Sequence, residues 1–229
     1  MAVSLSGVAE YFADILEIGQ ENVEKGSVVL QSGGLRRSLR VSKVKRDEDM
    51  LSWDVFIEDE MFCKSMKSFG GVGVEIWRPD HTEKGNALSV HLRYLYPWPK
   101  GRKSLDSVLV RDIREFALPS LEFVQDRQDL GCLLLASDDV HRGKVWARLP
   151  SGNEPARLVK AFIIARQLGD SGLEEKAWEK LRRVSESDIS WESGVQFLFR
   201  QAVADWARQY ARKVNIPLDD LIQLKRRRP

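Results

Sequence analysis

Two cysteines and three histidines are all the thiols and imidazoles that 229 residues contain for stapling a small fold or building a zinc site. Cys63 and Cys132 lie far apart and in no metal-ligand spacing, so neither a disulfide framework nor a zinc site is expected. Such sparse use suits a reducing cytosol, with both thiols expected in the interior. No apolar run approaches the roughly 18–20 residues that span a bilayer, so no membrane partner is expected. The N-terminus carries Glu10, Asp14 and Glu17 and lacks a basic leader, which reads as a helix of the mature domain in a cytoplasmic protein. There is no G-x-S-x-G elbow, no fixed-period repeat and no low-complexity tract.

What is present is ordinary globular material. Hydrophobic residues make up 43% and charged residues 31%, a balance that allows a full apolar core. A chain of this length buries roughly 70% of its unfolded surface and folds without metal or disulfide. The net charge of +2 excludes a global polyanion signature. Its distribution is uneven: residues 1–154 sum to −3 and residues 155–229 to +5.

Periodicity predicts the architecture. Leu5, Val8, Phe12, Ile15 and Leu16 share one face of a first helix, with Gly19 as its stop. Strands follow: Val28–Leu30 up to the Ser32-Gly33-Gly34 turn, Leu39–Val44, and the alternating Leu51, Trp53, Val55 and Ile57. Val72, Val74 and Ile76 form a further strand, paired across a long loop with Ala87–Leu95. The prolines of Tyr96-Pro97-Trp98-Pro99 then end the sheet, which has four or five antiparallel strands.

From Leu105 the chain turns helical. The helix through Ile113 and Phe116 breaks at Ala117-Leu118-Pro119-Ser120 and restarts at Leu121. A short helix around Asp129–Ser137 follows, then a loop, Asp138–Asn153, that hides a strand at Lys144–Leu149. Pro155 opens a helix ended by Gly169, and Leu173, Ala177, Leu181 and Val184 line a second. Trp191–Lys213 is a final long helix before the basic tail Lys225–Arg228. The fold class is α+β: an antiparallel sheet packed by helices over 1–154, with a C-terminal helical subdomain over 155–229.

Two of these segments carry a resemblance. Phe116-Ala117-Leu118-Pro119-Ser120-Leu121-Glu122 with Asp129-Leu130, and Ala165-Arg166-Gln167-Leu168-Gly169-Asp170 followed by Ala177, are similar to the bacterial domain-of-unknown-function family numbered 4304, over about residues 1–184. The resemblance implies a small bacterial cytosolic domain acting as an immunity protein or adaptor. It brings no catalytic residues with it.

No constellation completes a chemistry. Gly70-Gly71-Val72-Gly73 lacks the third glycine of a dinucleotide loop and enters a strand, not a helix. Asp138-Asp139-x-His141 offers metal-ligand types, but reads as loop acids with a solvent-facing histidine. Glu58-Asp59-Glu60 reads as a solvated turn, since glycosidase carboxylates must flank a cleft. Neither catalysis nor a cofactor is expected.

The most suggestive surface is Arg93–Lys103, where tyrosines and a tryptophan alternate with basic side chains. These residues could cover the edge of the core, anchor a protein, or stack bases and hold phosphates. The expected partner-binding residues are Trp77, Tyr94, Tyr96, Trp98, Arg102 and Lys103. The expected function is a non-catalytic protein-binding module that blocks a toxin or enzyme. The alternative is a nucleic-acid-binding protein using this segment and the basic tail.

Overall fold

A computed structural model describes residues 3–45, 49–65, 72–79, 95–149 and 154–186. The expected strand Ala87–Leu95, apart from Leu95 itself, lies outside the described residues, as do the helix Trp191–Lys213 and the basic tail.

The fold is α+β, as the pattern predicts, but the sheet is larger. Eight antiparallel strands form it among the described residues. They are β1 (Val23–Glu24), β2 (Ser27–Ser32), β3 (Leu35–Lys45), β4 (Asp49–Asp59), β5 (Gly73–Trp77), β6 (Tyr96–Pro97), β7 (Val140–Arg142) and β8 (Val145–Ala147). The spatial order is β1-β2-β3-β4-β5-β8-β7, with β6 on β4. The β2–β3 turn uses Gly33 and Gly34 at φ of 60° and 76°, the left-handed pair that a two-residue hairpin requires.

One sheet face is the core. Leu51, Trp53, Val55 and Ile57 of β4 are buried beside Leu39, Val74, Ile76 and Ala147. Helix α1 (Leu5–Ile15) covers β1 to β3 with Val8, Ala9, Phe12 and Ala13. Ser4 caps its start, accepting from Gly7 N at 3.0 Å. The helix ends before Gly19: Glu17 itself takes the left-handed conformation, φ 58°, and Ile18 N bonds back to Ala13 O.

The central helix does not break at Pro119. It runs from α3 (Ser107–Asp112) through a π-helical segment, Ile113–Ala117, into α4 (Leu118–Leu121). Proline lacks an N–H and its ring would strike the carbonyl of Glu115 in a regular helix; the wider π turn accommodates it. Leu121–Val124 is consequently a helix end, not a restart.

Two prolines did not end the sheet either. Pro97 sits exposed in β6 opposite Met50, where no donor is required of it. Asp59 is fully buried rather than solvated: it accepts from Phe62 N at 2.9 Å and caps α2 (Glu60–Ser65). Of the two thiols, Cys132 is exposed and Cys63 half-buried, so neither is a core residue.

The chain divides into two compact units: Met1–Ser65, Gly71–Asp126 and Asp139–Arg148 make the sheet unit, and Met66–Gly70, Arg127–Asp138 and Leu149–Pro229 the helical one. In the helical unit α5 (Arg127–Leu134), α6 (Glu154–Leu168) and α7 (Ser171–Glu186) pack together. The expected α6–α7 hairpin is present. Gly169, φ 70°, ends α6, and Asp170 caps α7 by accepting from Leu173 N.

Residues 127–138 belong to this unit: α5 packs on α6, and cations from the hairpin satisfy the carbonyls at and just beyond the end of α5. Arg157 Nη1 donates to Leu134 O and Ala136 O, and Lys180 Nζ to Leu135 O. Those carbonyls are the negative end of the helix dipole, so cations are favoured there.

Candidate functional site

The face of the sheet opposite the core carries Phe56 on β4, Trp77 on β5, Trp146 on β8 and His141 on β7. Phe56, Trp77 and Trp146 are half-buried and His141 is exposed. Strand alternation puts Phe56, Trp77 and Trp146 there, because each adjoins a core residue, and the β7–β8 register places His141 on the same face. Register then lines up three of them: Trp77 is opposite Trp146, and Trp146 opposite His141, while Phe56 is opposite Glu75 on the neighbouring strand. The His141 and Trp146 rings stack with centroids 5.5 Å apart and planes 24° from parallel.

Two guanidiniums lie over this aromatic row. Arg148 stands 4.8 Å from the Trp77 ring centroid, and Arg40 4.7 Å from that of Phe56. Arg40 also pairs with Asp54 at 2.6 Å, its direct partner across β3 and β4. Phe56 in turn lies on Gly73. A Cβ there would come within 2.6 Å of Ile57 O and 2.7 Å of the Phe56 ring. Gly73 is thus glycine for close approach inside an extended strand rather than for a left-handed turn.

The expected partner-binding residues do not assemble into one surface. Trp77 belongs to the aromatic row. Tyr94 lies outside the described residues. Tyr96 is 1% exposed, which corrects its expected surface role: its ring is core and its hydroxyl is committed. Trp98 is half-buried with Lys43 Nζ 4.8 Å above its ring, and its Nε1 has no hydrogen-bond partner among the described residues. Arg102 is exposed but paired to Asp14 at 2.5 Å, and Lys103 is exposed.

Tyr96 belongs to a buried polar cluster instead. Its hydroxyl donates to Asp112 Oδ2 at 2.8 Å, and Arg111 holds Oδ1 of the same carboxylate at 3.0 Å. Arg78, itself buried, bonds Tyr96, donates to Trp53 O at 3.1 Å and stacks 3.4 Å from the Trp53 ring centroid. Burial pushes the Tyr96 phenol well above its ordinary range; the Arg78 charge and hydrogen bond pull it down, and Asp112 raises it further. A phenol held protonated in the core is a structural donor, not a nucleophile.

Among the described residues no group of three His, Cys, Asp or Glu side chains is placed to hold a metal ion. Asp138, Asp139 and His141 are all exposed. No described helix is long and apolar enough to cross a membrane.

The residues missed from sequence are Phe56, Trp146, Arg148 and His141 as one set. The strand Val145–Ala147 was legible, but its hairpin partner Val140–Arg142 is three residues long and carries too little alternation to show. Compared with protein-family models, with curated proteins and with solved structures, the chain matches none.

Proposed function

We propose that the chain is a non-catalytic protein-binding module that contacts its partner through the outward sheet face. The observation that carries this reading is the cross-strand pair Trp77–Trp146 with Arg148 laid over it. Tryptophan and arginine dominate interface energetics when they sit pre-ordered on a rigid element, because little side-chain entropy remains to be lost. A blocking role toward a toxin or enzyme, as an immunity protein or adaptor, is the form of this activity that the resemblance of residues 116–122 and 165–170 favours.

A nucleic-acid reading draws on the same aromatic rings, since stacked bases also use such platforms. Charge weighs against it. On this face Arg36, Arg40 and Arg148 stand against Asp54, Glu58 and Glu75, and Arg36 and Arg40 are already paired. A face without net positive charge releases few counterions from a phosphate backbone.

The test is affinity capture from host lysate, with and without nuclease, using three proteins: wild type, a Trp146→Ala/Arg148→Ala double variant, and an Arg102→Ala/Lys103→Ala control. One stoichiometric protein lost only with the first double variant supports the reading. Equal capture by that variant removes the sheet face from consideration. Capture that disappears with nuclease transfers the function to nucleic acid.

A further inference from the structure

Phe123, Val124 and Gln125 present three consecutive backbone carbonyls, and each receives a guanidinium. Arg142 of β7 donates to Phe123 O and stacks 5.0 Å from the Phe123 ring centroid. Arg37 of β3 donates through Nη2 to Val124 O at 2.9 Å and to Gln125 O at 2.7 Å. Through Nη1 it also holds Ser32 O at 3.1 Å and Ser32 Oγ at 2.7 Å, at the end of β2. Two strands four places apart in the sheet order therefore converge on one short segment.

Arg37 is only 6% exposed. Burial lowers its pKa, and Asp126 and Glu122 at the ends of the same segment oppose that shift. The cation is thus matched to the segment electrostatically as well as by hydrogen bonds. Phe123 and Val124 are buried beneath it. The segment holds no strand: Glu122 N and Phe123 N bond back to Leu118 O and Ser120 O of the preceding helix, and the carbonyls of Phe123, Val124 and Gln125 rest on arginine side chains. Among the described residues its opening breaks no strand–strand hydrogen bond, and it uncovers the apolar side chains of Phe123 and Val124.

We propose that residues 122–126 form a latched strap, a conformational device that opens from the sheet as a local unit with Arg37 as its latch. The inference is independent of the partner-binding reading. Arginine is specified at the latch because only its planar fork reaches several carbonyls at once; lysine keeps the charge but not the fork.

The test is thiol labelling of the full chain with Cys63→Ser and Cys132→Ser as background. A cysteine introduced as Val124→Cys reports opening of the strap, and one introduced as Val55→Cys, in the middle of β4, reports melting of the sheet. Arg37→Met is expected to speed labelling at position 124 about ten-fold or more and to leave position 55 unchanged, with Arg37→Lys in between. Unchanged labelling at 124, or an equal rise at both positions, overturns the proposal. If Arg37→Met does not fold, Arg142→Met removes the bond and the ring contact that Arg142 makes with Phe123 and leaves Arg37 in place. It must give the same selective increase at a smaller factor, and no increase overturns the proposal equally.

Discussion

The Tyr96 hydroxyl donates 2.8 Å to the Asp112 carboxylate inside the core, joining the short strand β6 to the central helix just where that helix turns from α to π. Asp112 is 2% exposed, so the bond operates in a low dielectric, where losing a donor to a charged acceptor is costly. Tyr96→Phe is expected to lower the unfolding free energy by about 1.5–3 kcal/mol, and Tyr96→Ala by about 3–5 kcal/mol. Urea denaturation followed by tryptophan fluorescence measures both. A loss below about 0.5 kcal/mol for Tyr96→Phe contradicts a buried, committed hydroxyl.

The same phenol sets a pH dependence with a definite sign. Its folded pKa lies above the ordinary value of 10.0, so the folded state holds the proton more tightly than the unfolded chain. The stabilisation is complete below pH 10 and is lost as pH rises from there toward the folded pKa. The wild type should therefore lose more stability as pH rises above 10 than Tyr96→Phe does. Other tyrosines and lysines titrate in both proteins, so the difference between the two curves isolates this group. Parallel curves contradict the assignment.

Gly73→Ala is expected to destabilise the sheet by about 1–3 kcal/mol. The new Cβ would meet the backbone oxygen of Ile57, which cannot move without disturbing the β4–β5 ladder. The Phe56 ring, displaced with it, also leaves its place beneath Arg40. A neutral substitution in thermal melts would mean that the strands do not approach this closely.

Among the described residues, two in the left-handed region are not glycine. Glu17 at φ 58° closes α1, and Lys25 at φ 44° precedes Gly26 in the β1–β2 turn. An L side chain costs roughly 1 kcal/mol in this region. Glu17→Gly and Lys25→Asn should each raise stability by about 0.3–1 kcal/mol, read as a higher urea midpoint at unchanged slope. A fall in midpoint at either position would show that the wild-type side chain makes a contact worth more than the strain.

Local features were legible because they depend on neighbours in sequence. The periodicity of Val8 and Phe12, the alternation of Leu51 to Ile57, the Gly33-Gly34 turn and the Gly169 helix stop all appear where the pattern puts them. The local pattern misleads where the deciding partner is distant. Pro119 reads as a helix break on its own, yet packing of Ile113, Phe116 and Leu121 keeps the helix running through a π turn. Tyr96 looks like an exposed anchor beside Pro97 and Trp98 until Asp112 and Arg78 arrive from other elements.

The same division applies to the candidate surface. The amino-acid sequence by itself determined the α+β class, the helical hairpin and the positions of most strands, because propensity, period and turn chemistry act over a few residues. Only the tertiary structure decided which side chains stand together. Trp77 and Trp146 are 69 positions apart and meet through the β5–β8 register, and Arg37 reaches Val124 across 87 residues. Strand order and register are settled by how whole apolar faces bury one another, a property of the assembled core that no local window contains.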